Sequence, residues 1–116
     1  MASENVVSDK SFEFALSIVQ LYKKLVDQRE YVISKQLLRS ATSIGANVEE
    51  ASAAPTKKDF AYKMSISSKE ARETRYWLKL LDRSQIVELD YSNYIKDITE
   101  LIRILTAIVK TAQKHS

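Results

Sequence analysis

The residues able to do chemistry in this chain gather between Arg39 and Leu81. In R-S-A-T-S-I-G-A-N-V-E-E-A (Arg39–Ala51), Arg39, Ser43, Asn47 and Glu50 fall within about 80° of one another at roughly 100° per helical residue. In K-E-A-R-E-T-R-Y-W-L-K-L-L (Lys69–Leu81), Glu70, Glu73 and Trp77 share a face, with Lys69 and Arg72 beside it. Helical bundles hold paired metal ions with Glu-x-x-His motifs joined by further glutamates. Glu70-x-x-Glu73 supplies the carboxylates, but His115 is the only histidine and lies one residue from the C-terminus. That ligand set is too poor, and no metal is expected.

Two uses remain for the polar stripe. If two antiparallel helices bring its halves together, Arg39 can fork onto a carboxylate of the later helix. Asn47 can bridge with both donor and acceptor, and the network fixes helix register. The same groups could instead line a ligand or nucleic-acid site. Both readings stand at this point.

Catalysis is not expected. Gly45 is the sole glycine, so there is no glycine-rich phosphate loop and no G-x-S-x-G elbow. The serines have no histidine base within the body of the chain. With no cysteine, thiolate nucleophiles, disulfides and thiolate metal sites are excluded. No catalytic residue, cofactor or small-molecule substrate is expected.

These residues must be positioned by helices. One glycine and one proline in 116 residues leave few places to turn, and 45% apolar with 28% charged residues is a globular balance. Four helices are predicted, over about 8–28, 32–53, 57–83 and 91–114. Ser8 or Asp9 is a good N-cap for the first. Phe12, Val19 and Val26 form one of its apolar stripes with Ala15 and Tyr22, and Phe14, Ile18, Leu21 and Leu25 form another. Asp27–Glu30 reads as a polar break.

The second helix repeats Leu37, Ala41, Ile44, Val48 and Ala51 at 4-3 spacing. Gly45 inside it costs about 1 kcal/mol relative to alanine, which points to close approach of another backbone. Pro55 ends this helix. Thr56 then caps the third, with Asp59 in the capping-box position. Phe60, Met64, Ser67, Ala71, Thr74, Leu78 and Leu81 form a seam whose small centre can cross the small centre of the second helix tightly. The fourth helix carries Tyr91, Tyr94, Ile98, Leu101, Leu105, Ile108 and Ala112, widened by Ile95, Ile102 and Val109. Short loops make neighbours antiparallel, giving an all-α, up-down-up-down four-helix bundle in a single domain over 1–116. The first and fourth helices carry more apolar surface than a lone bundle requires, which suits either a subunit interface or a thicker core.

The N-terminus lacks the layout of a signal peptide, and no apolar run is long enough to span a bilayer. A soluble cytoplasmic protein is expected. The net charge of +3 is unevenly placed: residues 57–83 hold eight Lys/Arg against four acids, a segment charge of +4. That helix is either a solvated face or a surface for a polyanion.

Arg39, Ala41, Ser43, Ile44, Asn47 and Glu50, followed by Phe60, Ala71, Glu73 and Leu78, resemble the bacterial four-helix-bundle proteins named for the 23S rRNA intervening sequence. Ala51 stands where that family has glycine. The resemblance covers nearly the whole chain and implies a bundle that assembles as a homopentamer. A related branch is similar to the accessory variability determinant of diversity-generating retroelements, a pentamer with a basic surface that binds nucleic acid. By that analogy RNA or DNA is the partner, and Lys57, Lys58, Lys63, Arg72, Arg75 and Lys79 are the candidate contacts. The alternative is a protein-interaction scaffold that binds no nucleic acid.

Overall fold

Val7 begins the core. It continues the Phe14, Ile18, Leu21 and Leu25 stripe towards the N-terminus at helical spacing, and all five side chains are buried. The first helix therefore does not start at Ser8 or Asp9: α1 spans Ala2–Asp27, because burying Val7 carries the helix past both polar residues. The computed structural model describes residues 2–115, with side chains from Val6 onward. The other helices are α2 (Ile33–Ser52), α3 (Lys57–Ser84) and α4 (Ser92–Lys114), within a residue or two of their expected bounds.

Consecutive helices pack on one another, α1 closes the ring on α4, and the diagonal pairs α1–α3 and α2–α4 bring no Cα atoms within 8 Å of each other. The result is an antiparallel four-helix bundle measuring 46 × 20 × 20 Å. No strand occurs among the described residues. Among them, too, no helix is long and apolar enough to cross a membrane.

The core is the predicted set of seams. Leu37, Ala41, Ile44, Val48 and Ala51 of α2 meet Met64, Ser67, Ala71, Thr74, Leu78 and Leu81 of α3, all buried. The small centres do cross closely. Ser67 Oγ donates to the Ile44 backbone carbonyl at 2.9 Å, and Thr74 Oγ1 donates to Ser40 Oγ at 2.8 Å. A hydroxyl reaching the backbone of the facing helix leaves no room for a larger side chain between them.

Gly45 faces a different neighbour. A Cβ at this position would lie 3.5 Å from Ser11 Oγ and 3.7 Å from the Ser11 carbonyl carbon on α1. The neighbouring backbone does come near, yet those distances are ordinary contact. Gly45→Ala is therefore expected to fit and to raise stability by about 0.5–1 kcal/mol, by removing the helix cost of glycine and restricting the unfolded chain. The urea midpoint of the variant checks this; a fall in midpoint would mean the two helices cannot accept a methyl group.

The turns are made without glycine. Arg29 and Gln85 take left-handed backbone conformations, with φ of 65° and 48°, at the ends of α1 and α3. Glu30, expected only as part of a polar break, is instead a buried cap for α2. Its carboxylate accepts from the backbone N–H groups of Val32 and Ile33, each at 3.1 Å, and of Ser34 at 2.6 Å. These are orphan donors of the first helical turn, and a carboxylate there also suits the helix dipole. At the other end of the molecule Thr56 is the predicted N-cap of α3: its Oγ1 accepts from the Asp59 backbone N–H at 3.0 Å and donates to the Asp59 carboxylate at 2.7 Å, without the backbone bond that would complete a capping box.

Tyr91 closes the α3–α4 connection. It is fully buried, and its hydroxyl donates to the Val87 carbonyl at 2.8 Å. Burial, helped by the nearby Glu30 and Asp82 carboxylates, pushes its phenol up to about 12.

Candidate functional site

Arg39 on α2 is held across the helix crossing by two carboxylates of α3. Nη1 donates to Glu70 Oε2 at 3.0 Å, and Nη2 donates to Glu73 Oε2. The indole Nε1 of Trp77 donates to the same Glu73 oxygen at 2.9 Å. Glu70 is nearly buried, while half of the Arg39 side chain faces solvent. The guanidinium thus lies over two acids that would otherwise repel each other, and all three groups are satisfied. Both carboxylates of the Glu-x-x-Glu pair are turned towards Arg39.

Trp77, then Arg39, hold the Glu73 carboxyl below its ordinary 4.5 against an opposing burial effect. A depressed carboxylate contributes stability that is present above pH 4.5 and is lost as pH falls through the lower folded-state value. Glu73 is partly solvated, so screening limits the effect to less than about 1 kcal/mol. Glu73→Gln should flatten the acid limb of the urea-midpoint profile below pH 4.5. An unchanged limb would show that the pair does not couple to folding.

The rest of the predicted network is dispersed. Asn47 Nδ2 donates to the Ser43 carbonyl at 2.9 Å and to Ser43 Oγ at 3.1 Å, one turn back on α2, rather than bridging to α3. Glu50 lies about three turns beyond Arg39 along α2 and pairs with Lys63 at 2.7 Å. The shared stripe on α2 is real, but it meets different registers of α3 along its length. Only Arg39, Glu70 and Glu73 form the lock, with Trp77 added and the buried Ser40–Thr74 pair beside it.

The basic residues divide in the same way. Lys63 is engaged by Glu50, and Arg75 is half-buried. Lys57 is exposed at the N-terminal end of α3, where it joins the lining of a cavity of about 710 Å³. Lys58, Arg72 and Lys79 remain on the outer face, where Arg72 Nη2 donates to Thr106 Oγ1 at 3.3 Å.

On this outer face two rows run along the helix at seven-residue spacing. One is Lys58, Ser65, Arg72 and Lys79; the other is Tyr62, Lys69, Tyr76 and Arg83. Seven residues are nearly two turns, so each row is almost straight with a step of about 10.5 Å. The rows hold five cations and no acid. The four acids of α3 are turned away: Asp59 closes the N-terminal cap, Glu70 and Glu73 face Arg39, and Asp82 is half-buried near Tyr91. Lys69 and Arg83 are counted in the segment charge but are not among the contacts that the family analogy selects. Helical register finds them.

The opposite side of the bundle has the opposite charge. A groove of about 330 Å³ between α1 and α4 is lined by Asp9, Glu13, Asp97 and Glu100, with Lys10 bonded to Glu100 at 2.5 Å. Because α1 and α3 are diagonal, the acidic groove and the basic face point away from each other. Positive potential is therefore concentrated on the α3 side of the bundle.

The two helices expected to carry surplus apolar surface differ. On α4, Ile95 and Val109 are partly buried against the core, as a thicker core requires. On α1, Phe12, Leu16 and Val19 are 63%, 46% and 36% exposed and lie on one stripe.

A family model described as "23S rRNA-intervening sequence protein" matches residues 3–107. Among solved structures, the chain is similar to a protein of unknown function from the S23 ribosomal protein family of Bacteroides thetaiotaomicron. The two are 52% identical over 93% of this chain and 98% of that one, with a TM-score of 0.88. No curated protein matches the chain.

Proposed function

The chain belongs to the 23S rRNA-intervening sequence protein family, and from that membership we propose that it is a non-enzymatic homo-oligomer that binds RNA or DNA through the outer face of α3. The observation that carries the reading is the acid-free face with its five cations in two straight rows. Phosphate contacts supply most of the affinity of such a surface, and they release counterions. Five contacts to a single strand correspond to a log–log salt slope of about −3.5, or about 100-fold in affinity between roughly 50 and 200 mM salt. Fluorescence anisotropy of a labelled oligonucleotide over this range tests it. Affinity independent of salt, or no binding at the lower concentration, would refute the reading.

Assembly is assigned to the exposed Phe12–Leu16–Val19 stripe of α1, and the family resemblance implies a pentamer. Light scattering should show a multiple of the 13.3 kDa chain mass, falling to the monomer in Phe12→Glu/Leu16→Glu. A monodisperse wild-type monomer would remove the assembly claim. The same stripe favours a second reading, a scaffold oligomer that binds no nucleic acid. Assembly with no oligonucleotide binding would select it.

A further inference from the structure

Two aromatic rings stand largely in solvent on the basic face. Tyr62 and Tyr76 are 63% and 60% exposed, two steps apart in the row Tyr62, Lys69, Tyr76, Arg83. They are about 21 Å apart along the helix axis, with Lys69 midway. Tyr76 is buttressed from below, its ring meeting that of Trp77 edge-on at a centroid distance of 5.0 Å. Trp77 is in turn fixed by Glu73, and Glu73 by Arg39. The helix lock therefore reaches the surface as a tyrosine set on a rigid base.

We propose that the outer face of α3 takes single-stranded nucleic acid, with unpaired bases stacked on Tyr62 and Tyr76 while Lys58, Lys69, Arg72, Lys79 and Arg83 follow the phosphates. This rests on the polyanion reading above and names its ligand class. Flat rings alternating with cations are the surface that suits a strand whose bases are splayed out, since every base has a π-face to offer. A duplex offers α3 its phosphates and groove edges but keeps its base faces stacked inside, so the two rings would have no partner. A purely anionic polymer would use the cations and leave the rings idle.

The test compares three ligands with three forms of the full chain. The ligands are a labelled single-stranded 15-mer, its duplex, and inorganic polyphosphate; the forms are wild type, Tyr62→Ala/Tyr76→Ala and Tyr62→Phe/Tyr76→Phe. Both tyrosines are solvent-facing, so all three forms should share one far-UV circular dichroism spectrum. The alanine pair is expected to weaken single-strand binding by at least about 30-fold, leaving the salt slope and polyphosphate affinity unchanged. The phenylalanine pair, which keeps the rings, should retain single-strand affinity within a few-fold. Wild type should prefer the single strand to the duplex.

Duplex preference, or single-strand affinity that survives the alanine pair, would overturn the stacking proposal. So would a drop in oligomer mass in the alanine pair, which would make the rings a contact between copies. These outcomes leave the polyanion reading in place if polyphosphate still binds. Failure of wild type to bind any of the three ligands would refute that reading itself.

Discussion

Reversing three charges on the outer face of α3, in Lys69→Glu/Arg72→Glu/Lys79→Glu, should weaken nucleic-acid binding by more than about 100-fold near 0.1 M salt. A single-strand slope of about −0.7 per phosphate makes each contact worth about fivefold at 0.1 M relative to 1 M. Losing three contacts multiplies to about 100-fold, and the new carboxylates add repulsion. All three positions are exposed, so the fold should persist. Arg72 donates to Thr106, a partly solvated contact of small worth, and Lys69 acts on Glu73 only as a minor through-space charge. The control is Lys23→Glu/Lys24→Glu/Lys35→Glu, which makes the same change in net charge at exposed positions on α1 and α2. If the control lost as much affinity as the α3 variant, binding would follow overall charge and not this face. Equal affinity in all three proteins would exclude α3 as the contact surface.

The largest stability effect is expected from Ser67→Leu. Ser67 is fully buried, and its hydroxyl lies 2.9 Å from the Ile44 carbonyl on α2. Leucine adds two further carbons at a point where α3 already touches the α2 backbone. Overpacking of this kind costs about 1–3 kcal/mol and more where backbone must move. Separating the helices would also weaken the Thr74–Ser40 bond, worth about 1 kcal/mol. The total, about 2–4 kcal/mol, corresponds to a fall in melting temperature of about 8–16 °C for a chain of this length. Ser67→Ala removes the hydroxyl without adding bulk and should cost about 1 kcal/mol. The comparison is diagnostic. Similar losses in the two variants would mean that the helices can part cheaply and that the crossing is not tight.

The same crossing shows which features can be read from a sequence. The seams of α2 and α3 follow from 4-3 spacing, and their small centres announce close approach because few other arrangements could use so many small residues at once. Pro55, Thr56 and Asp59 are local signals with local causes, and they lie where expected. Arg39 with Glu70 and Glu73 is legible because an arginine on one small-residue helix needs an acid on the other.

Other features depend on tertiary register. Val7 lies beyond two residues that cap helices well, and only the core it enters shows that α1 continues through them. Glu30 looks like any charged residue in a turn until Leu25 and Arg29 fold the chain back and point its carboxylate at the start of α2. Asn47 and Glu50 share the stripe of Arg39, but they lie about two and three turns further along α2, so they reach no common centre with it. The basic residues are the converse case. Counting their charge gives all eight Lys/Arg of 57–83 equal standing, and the family analogy selects six of them; helical register separates Lys57, Lys63 and Arg75 from Lys58, Arg72 and Lys79 and brings Lys69 and Arg83 to the second group.

The central claim is that the outer face of α3 is the nucleic-acid contact surface. It is tested most directly by backbone amide chemical-shift mapping of the 15N-labelled protein titrated with a single-stranded oligonucleotide. Perturbations should concentrate at Lys58, Tyr62, Lys69, Arg72, Tyr76, Lys79 and Arg83, and leave Asp9, Glu13, Asp97 and Glu100 in the acidic groove unmoved. Perturbations centred on α1 or α4, with these seven positions silent, would contradict it.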